Sequence, residues 1–92
     1  MAIEAYKNAI RLCPPGEKVE LAIFHNNLGI AFNKDEQALA AKGEFTKSIE
    51  MNPEYPKPRW HRMLIYKNET EYERAIEDAK KILEIDPNFN NS

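Results

Sequence analysis

A pattern that returns at a fixed interval constrains this chain more than any other feature. The set Ala41, Phe45, Ser48, Ile49, Asn52 and Pro53 reappears in the same register as Ala75, Ala79, Ile82, Leu83, Asp86 and Pro87. An earlier copy runs Ala2, Tyr6, Ala9, Ile10, Cys13 and Pro14. Self-similarity with a period of roughly 20–50 residues marks stacked units, none of which buries its apolar face alone. Each copy is an amphipathic stretch at helical spacing that closes on proline, which cannot supply a backbone donor and keeps the residue before it out of the helical region.

Ahead of the second and third copies lie two more apolar-periodic segments. One holds Leu21, Phe24, Leu28, Ala31 and Phe32, the other Trp60, Met63, Leu64 and Tyr66. Asn33-Lys34-Asp35-Glu36 and Lys67-Asn68-Glu69-Thr70 join these segments to the copies that follow, and such short polar links suit antiparallel helix pairs. The pattern predicts an all-α chain of five helices, at roughly 1–13, 18–33, 37–51, 57–68 and 71–85.

Two features interrupt the regularity. The interval from Pro14 to Pro53 exceeds that from Pro53 to Pro87 by five, and the excess falls at Pro15-Gly16-Glu17-Lys18, a loop or an extended helix start. Gly43 sits inside a helical segment at a cost of ~1 kcal/mol against alanine. Its missing side chain either lets two helices approach or is simply tolerated.

Composition narrows the function classes. Thirteen basic and fifteen acidic residues leave a net charge of −2, so no global field draws the chain to nucleic acid or to an anionic membrane. The run Arg59, Trp60, His61, Arg62 mixes basic and aromatic groups, but four consecutive helical residues point in different directions and form no single stacking platform. Cys13 is the sole cysteine, which excludes an internal disulfide and a multi-cysteine zinc site. His25 and His61 stand far apart in the sequence with no metal-binding pairing, and three scattered glycines build no phosphate loop. Glu71, Glu73, Glu77 and Asp78 read as exposed helix charges. The expectation is a cytoplasmic chain with no catalytic residues, no metal and no cofactor, and with neither nucleic acid nor membrane as partner.

The residues resemble the tetratricopeptide repeat, whose unit of about 34 residues carries an alanine, an aromatic four residues on, a small residue three after that, and a closing proline. Ala2, Tyr6, Ala9 and Pro14 match this text, as do Ala41, Phe45, Ser48 and Pro53, while Leu28-Gly29 with Phe32 matches the first-helix part. The last copy departs from it with Ala79 at the aromatic position, Ile82 at the small one and Met63 at the usual Gly or Ala. The lengthening by five and the Asn26-Asn27 pair further resemble the tetratricopeptide repeat domain protein 1 group of adaptors and co-chaperones. The resemblance implies a right-handed α-solenoid of about two and a half repeats in one domain over 1–92. Residues 1–14 would be the second helix of a truncated first repeat, 18–53 the second repeat, 56–87 the third, and 88–92 a disordered tail.

It also implies a concave groove lined by the first helix of each pair, where Ile23, Asn26, Asn27, Ile30, Asn33 and Lys34 face Lys57, Trp60, His61, Leu64, Lys67 and Asn68. In the chaperone-binding branch of the family, an asparagine and a lysine-plus-arginine pair grip the carboxylates of a Glu-Glu-Val-Asp tail. Asn27 and Lys57 match that set, and His61 stands where the arginine would be. Lys57 and His61, four residues apart, share a helix face and can address one ligand group. Two further clamp residues of that branch belong to a helix for which the sequence has no counterpart. Trp60 either receives an apolar ligand side chain or packs into the core.

Two functions compete on these residues. The first is a peptide-binding scaffold, a co-chaperone or adaptor that takes the acidic C-terminal tail of a heat-shock chaperone through Asn27, Lys57 and His61, with Asn26, Ile30, Lys34, Trp60 and Leu64 around them. The second is a self-associating module that docks another helix through uncapped ends as a homo-oligomer or helix-swapped dimer, since Ile3, Tyr6 and Ile10 lack a partner upstream in the chain.

Overall fold

The computed structural model describes residues 2–89, which form the five helices α1 (Ala2–Leu12), α2 (Lys18–Lys34), α3 (Ala38–Met51), α4 (Pro56–Asn68) and α5 (Tyr72–Ile85). Among the described residues there is no strand. Helix ends fall where local chemistry dictates. Pro56 opens α4 at a position whose N–H would have no partner in the helix anyway, and Pro14, Pro53 and Pro87 each stand just past the end of a helix.

The two helix-pair turns are copies of one another. After α2 the Gln37 N–H donates to the Phe32 carbonyl at 2.9 Å and that of Glu36 to Asn33 at 3.1 Å. After α4 the Glu71 N–H donates to Tyr66 at 2.8 Å and that of Thr70 to Lys67 at 3.1 Å. This six-to-one and five-to-two closure needs one left-handed residue, which is normally glycine. Here Glu36 (φ 61°) and Thr70 (φ 60°) take that role.

Helices that follow one another in the chain pack together, and α2 also touches α4, giving a body of 35 × 27 × 21 Å. The centre is Phe45, wholly buried with Ala41 and Ile65. Ala22, Ala41 and Ser48 have no exposed surface, so α2 and α3 approach closely. The Ser48 hydroxyl donates to the Ala22 carbonyl at 2.5 Å. A small residue is therefore required at position 48 for both packing and hydrogen bonding.

Side-chain pairs tie the helices further. His25 Nδ1 lies 2.7 Å from Glu44 Oε1 across the α2–α3 interface. Burial pushes the Glu44 carboxyl up, but the His25 hydrogen bond and the Lys47 ammonium outweigh it and hold the group below its ordinary range. Arg62 on α4 forks onto Asp78 of α5 at 2.9 and 2.6 Å and donates to Thr46 Oγ1 of α3 at 3.1 Å. Asp78 is therefore no exposed helix charge, as its sequence neighbours suggest, but is 5% exposed and held by a bidentate arginine.

The glycines also divide differently from the sequence expectation. Gly43 faces open space, so no helix approach depends on it. The close approach is at Gly29, where an added Cβ would lie 2.6 Å from Phe45 Cε1 and 2.8 Å from Cδ1. At the C-terminus, the N–H groups of Asn88 and Phe89 bond to the Oδ1 and carbonyl of Asp86, so both residues sit in a turn on α5. Met1 and residues 90–92, the rest of the expected tail, lie outside the described residues.

Candidate peptide-binding groove

The outward stripe of α2 reads Ile23, Asn27, Ile30, Lys34, a spacing that aligns four side chains along one helical face. Ile23 and Lys34 are exposed, Asn27 and Ile30 half-buried. Asn27, Ile30 and Lys34 line a cleft of about 280 Å³ together with Ala31, Asp35 and two α1 residues, Ile3 and Tyr6. The peptide-binding reading of the sequence did not include Ile3 and Tyr6, which only the helix-docking alternative singled out. Their signal was the repeat itself, because Tyr6 holds the aromatic position that Phe45 occupies one copy later.

On α4, Lys57 is exposed while Trp60, His61 and Leu64 are half-buried. None of the four borders the α1–α2 cleft. His61 lies flat on the buried Phe45 ring, with centroids 5.4 Å apart and planes at 15°, and the Trp60 ring meets it edge-on at 5.2 Å. Burial and then the Lys57 ammonium, one turn away, push the His61 imidazole below its ordinary value of 6.5. His61 in the free protein is thus a neutral ring at physiological pH.

Asn26 is the one expected groove residue that the fold removes. It is 2% exposed, its Oδ1 has no hydrogen-bond partner, and it cannot touch a ligand in the groove. The cause is its position about 100° around the helix from Asn27, which turns it into the interface with the next repeat. There it lies by Tyr55 at the start of α4, whose phenol is pushed up by burial and partly brought back by the Asn26 amide.

Charge is unevenly spread over these elements. In a chain of net charge −2, α4 holds Lys57, Arg59, Arg62 and Lys67 and no aspartate or glutamate. From Ile23 to Lys34 α2 also carries no carboxylate. Glu20 sits in the first turn of α2, and Glu73, Glu77, Asp78 and Glu84 lie on α5.

A tetratricopeptide-repeat sequence profile matches residues 64–89, covering α5 and the turn before it. Mitochondrial import receptor subunit TOM70 of Homo sapiens is 30% identical over 81 residues, which is 88% of this chain and 13% of the receptor subunit. The chain belongs to the tetratricopeptide-repeat family. Protein unc-45 homolog B of Danio rerio is 27% identical over 86 residues, 94% of this chain and 9% of that protein. Sperm-associated antigen 1A of Danio rerio is 28% identical over 88 residues, 92% of this chain and 21% of its own length. The chain spans 13% of the import receptor subunits it matches.

The family's helical arrays are protein-interaction scaffolds. No helix among the described residues is long and apolar enough to cross a membrane. Lys57 and His61, on consecutive turns of α4, can present an ammonium and an imidazole to one anionic group. Asn27, Ile30 and Lys34 can present an amide, an apolar contact and a second ammonium.

Proposed function

We propose that the chain is a co-chaperone or adaptor module that binds a peptide segment carrying carboxylates, most simply the acidic C-terminal tail of a heat-shock chaperone. The observation that carries this reading is the cationic, carboxylate-free helix α4 beside the carboxylate-free stretch of α2 from Ile23 to Lys34, in a chain of net charge −2. An anionic peptide is drawn to the α4 face, while Asp35, beside Lys34 at the end of α2, is the like charge it meets. Asn27, Lys57 and His61 contact its carboxylates, while Ile30, Trp60 and Leu64 supply apolar contact and Lys34 a further ammonium. In this reading residues 1–14 are the second helix of a first repeat, followed by repeats at 18–53 and 56–87.

The partner's length of engagement follows from helix geometry. Lys57 and Lys67 are ten residues apart on α4, about 15 Å at 1.5 Å per residue, so a tail of four or five extended residues reaches from one to the other. Titration calorimetry with a peptide ending in Glu-Glu-Val-Asp tests the proposal. Saturable binding that weakens with added salt and is lost on Lys57→Ala is expected, because a surface ammonium acts through a screened Coulomb field. Binding that is indifferent to both salt and Lys57→Ala removes the acidic-tail reading.

A further inference from the structure

Asn27 and His61 hold the same place in successive repeats, on two helices that touch, so they stand abreast across the groove between α2 and α4. Ile23 and Lys57 pair in the same way one turn earlier. Most cations near this level are engaged elsewhere or lie further along. Arg62 is committed to Asp78 and Thr46. Arg59, about 200° around the helix from His61, donates to the Pro53 carbonyl and borders clefts shared with Lys81 and Glu84 of α5. Lys34 lies beyond Asn27 and Lys67 beyond His61 by about 9–10 Å at 1.5 Å per residue. Lys57 remains, exposed and in no ion pair among the described residues.

The groups beside that single ammonium are neutral. The His61 ring is fixed flat on Phe45 and edge to Trp60. An imidazole next to a lysine is uncharged at neutral pH, with one N–H to donate and one bare nitrogen to accept. Asn27 adds an amide that also donates and accepts. A carboxylate between these groups gains charge-assisted bonds, but it turns acceptor toward acceptor and gives up more hydration than a neutral group does. A carboxamide both donates and accepts, and so satisfies the same partners without that cost. Lys57 and His61 are one turn, about 5.4 Å, apart along α4. The α-carboxylate and the side-chain carbonyl of one C-terminal residue span a comparable distance, so a single terminal residue can meet both.

We propose that the groove reads the last residue of its peptide through one carboxylate, the α-carboxylate at Lys57, and one hydrogen-bonding side chain at Asn27 and His61, so that a terminal asparagine is accepted nearly as readily as a terminal aspartate. The inference rests on the acidic-tail reading and narrows it. Glutamates further up the tail still meet Lys67 and Lys34, but the charge of the last side chain is not selected for. His61 thereby sets which terminal residue the groove takes.

Calorimetric titration of the 92-residue chain at pH 7.5 with three peptides tests it. One ends in Glu-Glu-Val-Asp, one in Glu-Glu-Val-Asn, and the third is the first with its C-terminus amidated. The aspartate and asparagine peptides should differ in affinity by less than about fivefold, and amidation should weaken binding by about tenfold or more. In His61→Arg the guanidinium can take a second carboxylate through two bonds, so the preference for aspartate should rise by about tenfold over that of the parent. A parent preference for aspartate of about fivefold or more overturns the proposal, and so does tolerance of the amidated terminus. These comparisons use the parent alone and decide the matter even if circular dichroism shows His61→Arg unfolded. A folded His61→Arg that keeps the parent's ratio overturns it as well. Failure of the aspartate peptide to bind at all removes the acidic-tail reading, and this inference with it.

Discussion

Two glycines in helices offer a paired test of the packing at the centre of the fold. Replacing a helical glycine by alanine stabilises by ~1 kcal/mol through backbone entropy alone. Gly43 is exposed and nothing lies within 4 Å of an added Cβ, so Gly43→Ala should realise that gain in full. Gly29 has the same intrinsic preference but a different neighbour. Its added Cβ would fall 2.6, 2.8 and 3.0 Å from three carbons of the Phe45 ring, well inside van der Waals contact. The ring cannot retreat, because it is wholly buried and His61 is stacked on its other side at 5.4 Å. Overpacking of this kind costs ~1–3 kcal/mol. Set against the propensity gain, Gly29→Ala should lose up to ~2 kcal/mol, while Gly43→Ala gains ~1 kcal/mol. For a domain of this size each kcal/mol moves Tm by ~4–8 °C. Thermal melting followed by circular dichroism should therefore separate the two variants by roughly 4 to 24 °C, with Gly43→Ala above the parent and Gly29→Ala at or below it. Combining Gly29→Ala with Phe45→Leu should recover part of the loss, since the aromatic edge that clashes is gone. If Gly29→Ala melted as high as Gly43→Ala, the contact between α2 and the Phe45 ring would be wrong, and with it the placement of α2 on α3.

Phe45→Ala should cost ~3–5 kcal/mol, since the ring is fully buried, and urea titration showing less than ~1 kcal/mol would contradict the core assigned here. Thr70→Gly should raise stability by ~0.5–1 kcal/mol, because a β-branched residue holds a left-handed conformation at the α4–α5 turn; an unchanged or lower urea midpoint would speak against that turn geometry. For His61 the sign is set by burial and Lys57, which lower its pKa in the folded protein below 6.5. Its neutral form contributes full stability above that value, and the contribution is lost as pH falls through the folded pKa. A bound carboxylate acts in the opposite sense, raising the pKa, so affinity for an acidic tail should increase on acidification by at most ~1.4 kcal/mol per unit of that rise. The depressed starting value moves this gain to lower pH than the window of ~8 to ~6 expected for an unperturbed imidazole. Below about pH 4.5 the ligand's own carboxylates begin to protonate and cancel it. His61→Arg should bind more tightly near neutrality and lose the pH response, which calorimetry at pH 7.5 and 5.5 would detect; equal affinity of the parent at both values would take His61 out of the site.

The five helices, their two short polar turns and the repeat position of Phe45 were legible in the sequence because they depend on local chemistry and on repetition. Proline stops a helix wherever it stands, and apolar residues at helical spacing point one way regardless of what they meet. Three copies in phase then require stacking, since no single copy can bury its stripe alone. Lys57 and His61 fall one turn apart on any helix, and their assignment to a site rests on the resemblance to the chaperone-binding branch of the family.

What depended on the third dimension was which neighbour each face meets. Asn26 and Asn27 are adjacent in sequence and chemically identical, yet one is shut into the interface with Tyr55 and the other borders the cleft. A rotation of about 100° between successive residues separates them, and the direction of α2 relative to α1, α3 and α4 decides which one points inward. Gly29 and Gly43 differ for the same reason, one lying under an aromatic ring and the other in open space. Asp78 carries the same charge as Glu77 beside it, but only Asp78 lies within reach of the Arg62 fork. Periodicity determined that these side chains lie on helices and at which angles. Only the packing of one helix on another could decide whether an amide, a glycine or a carboxylate becomes core, contact or ligand surface, because that choice rests on atoms that belong to a different helix and lie several turns away along the chain.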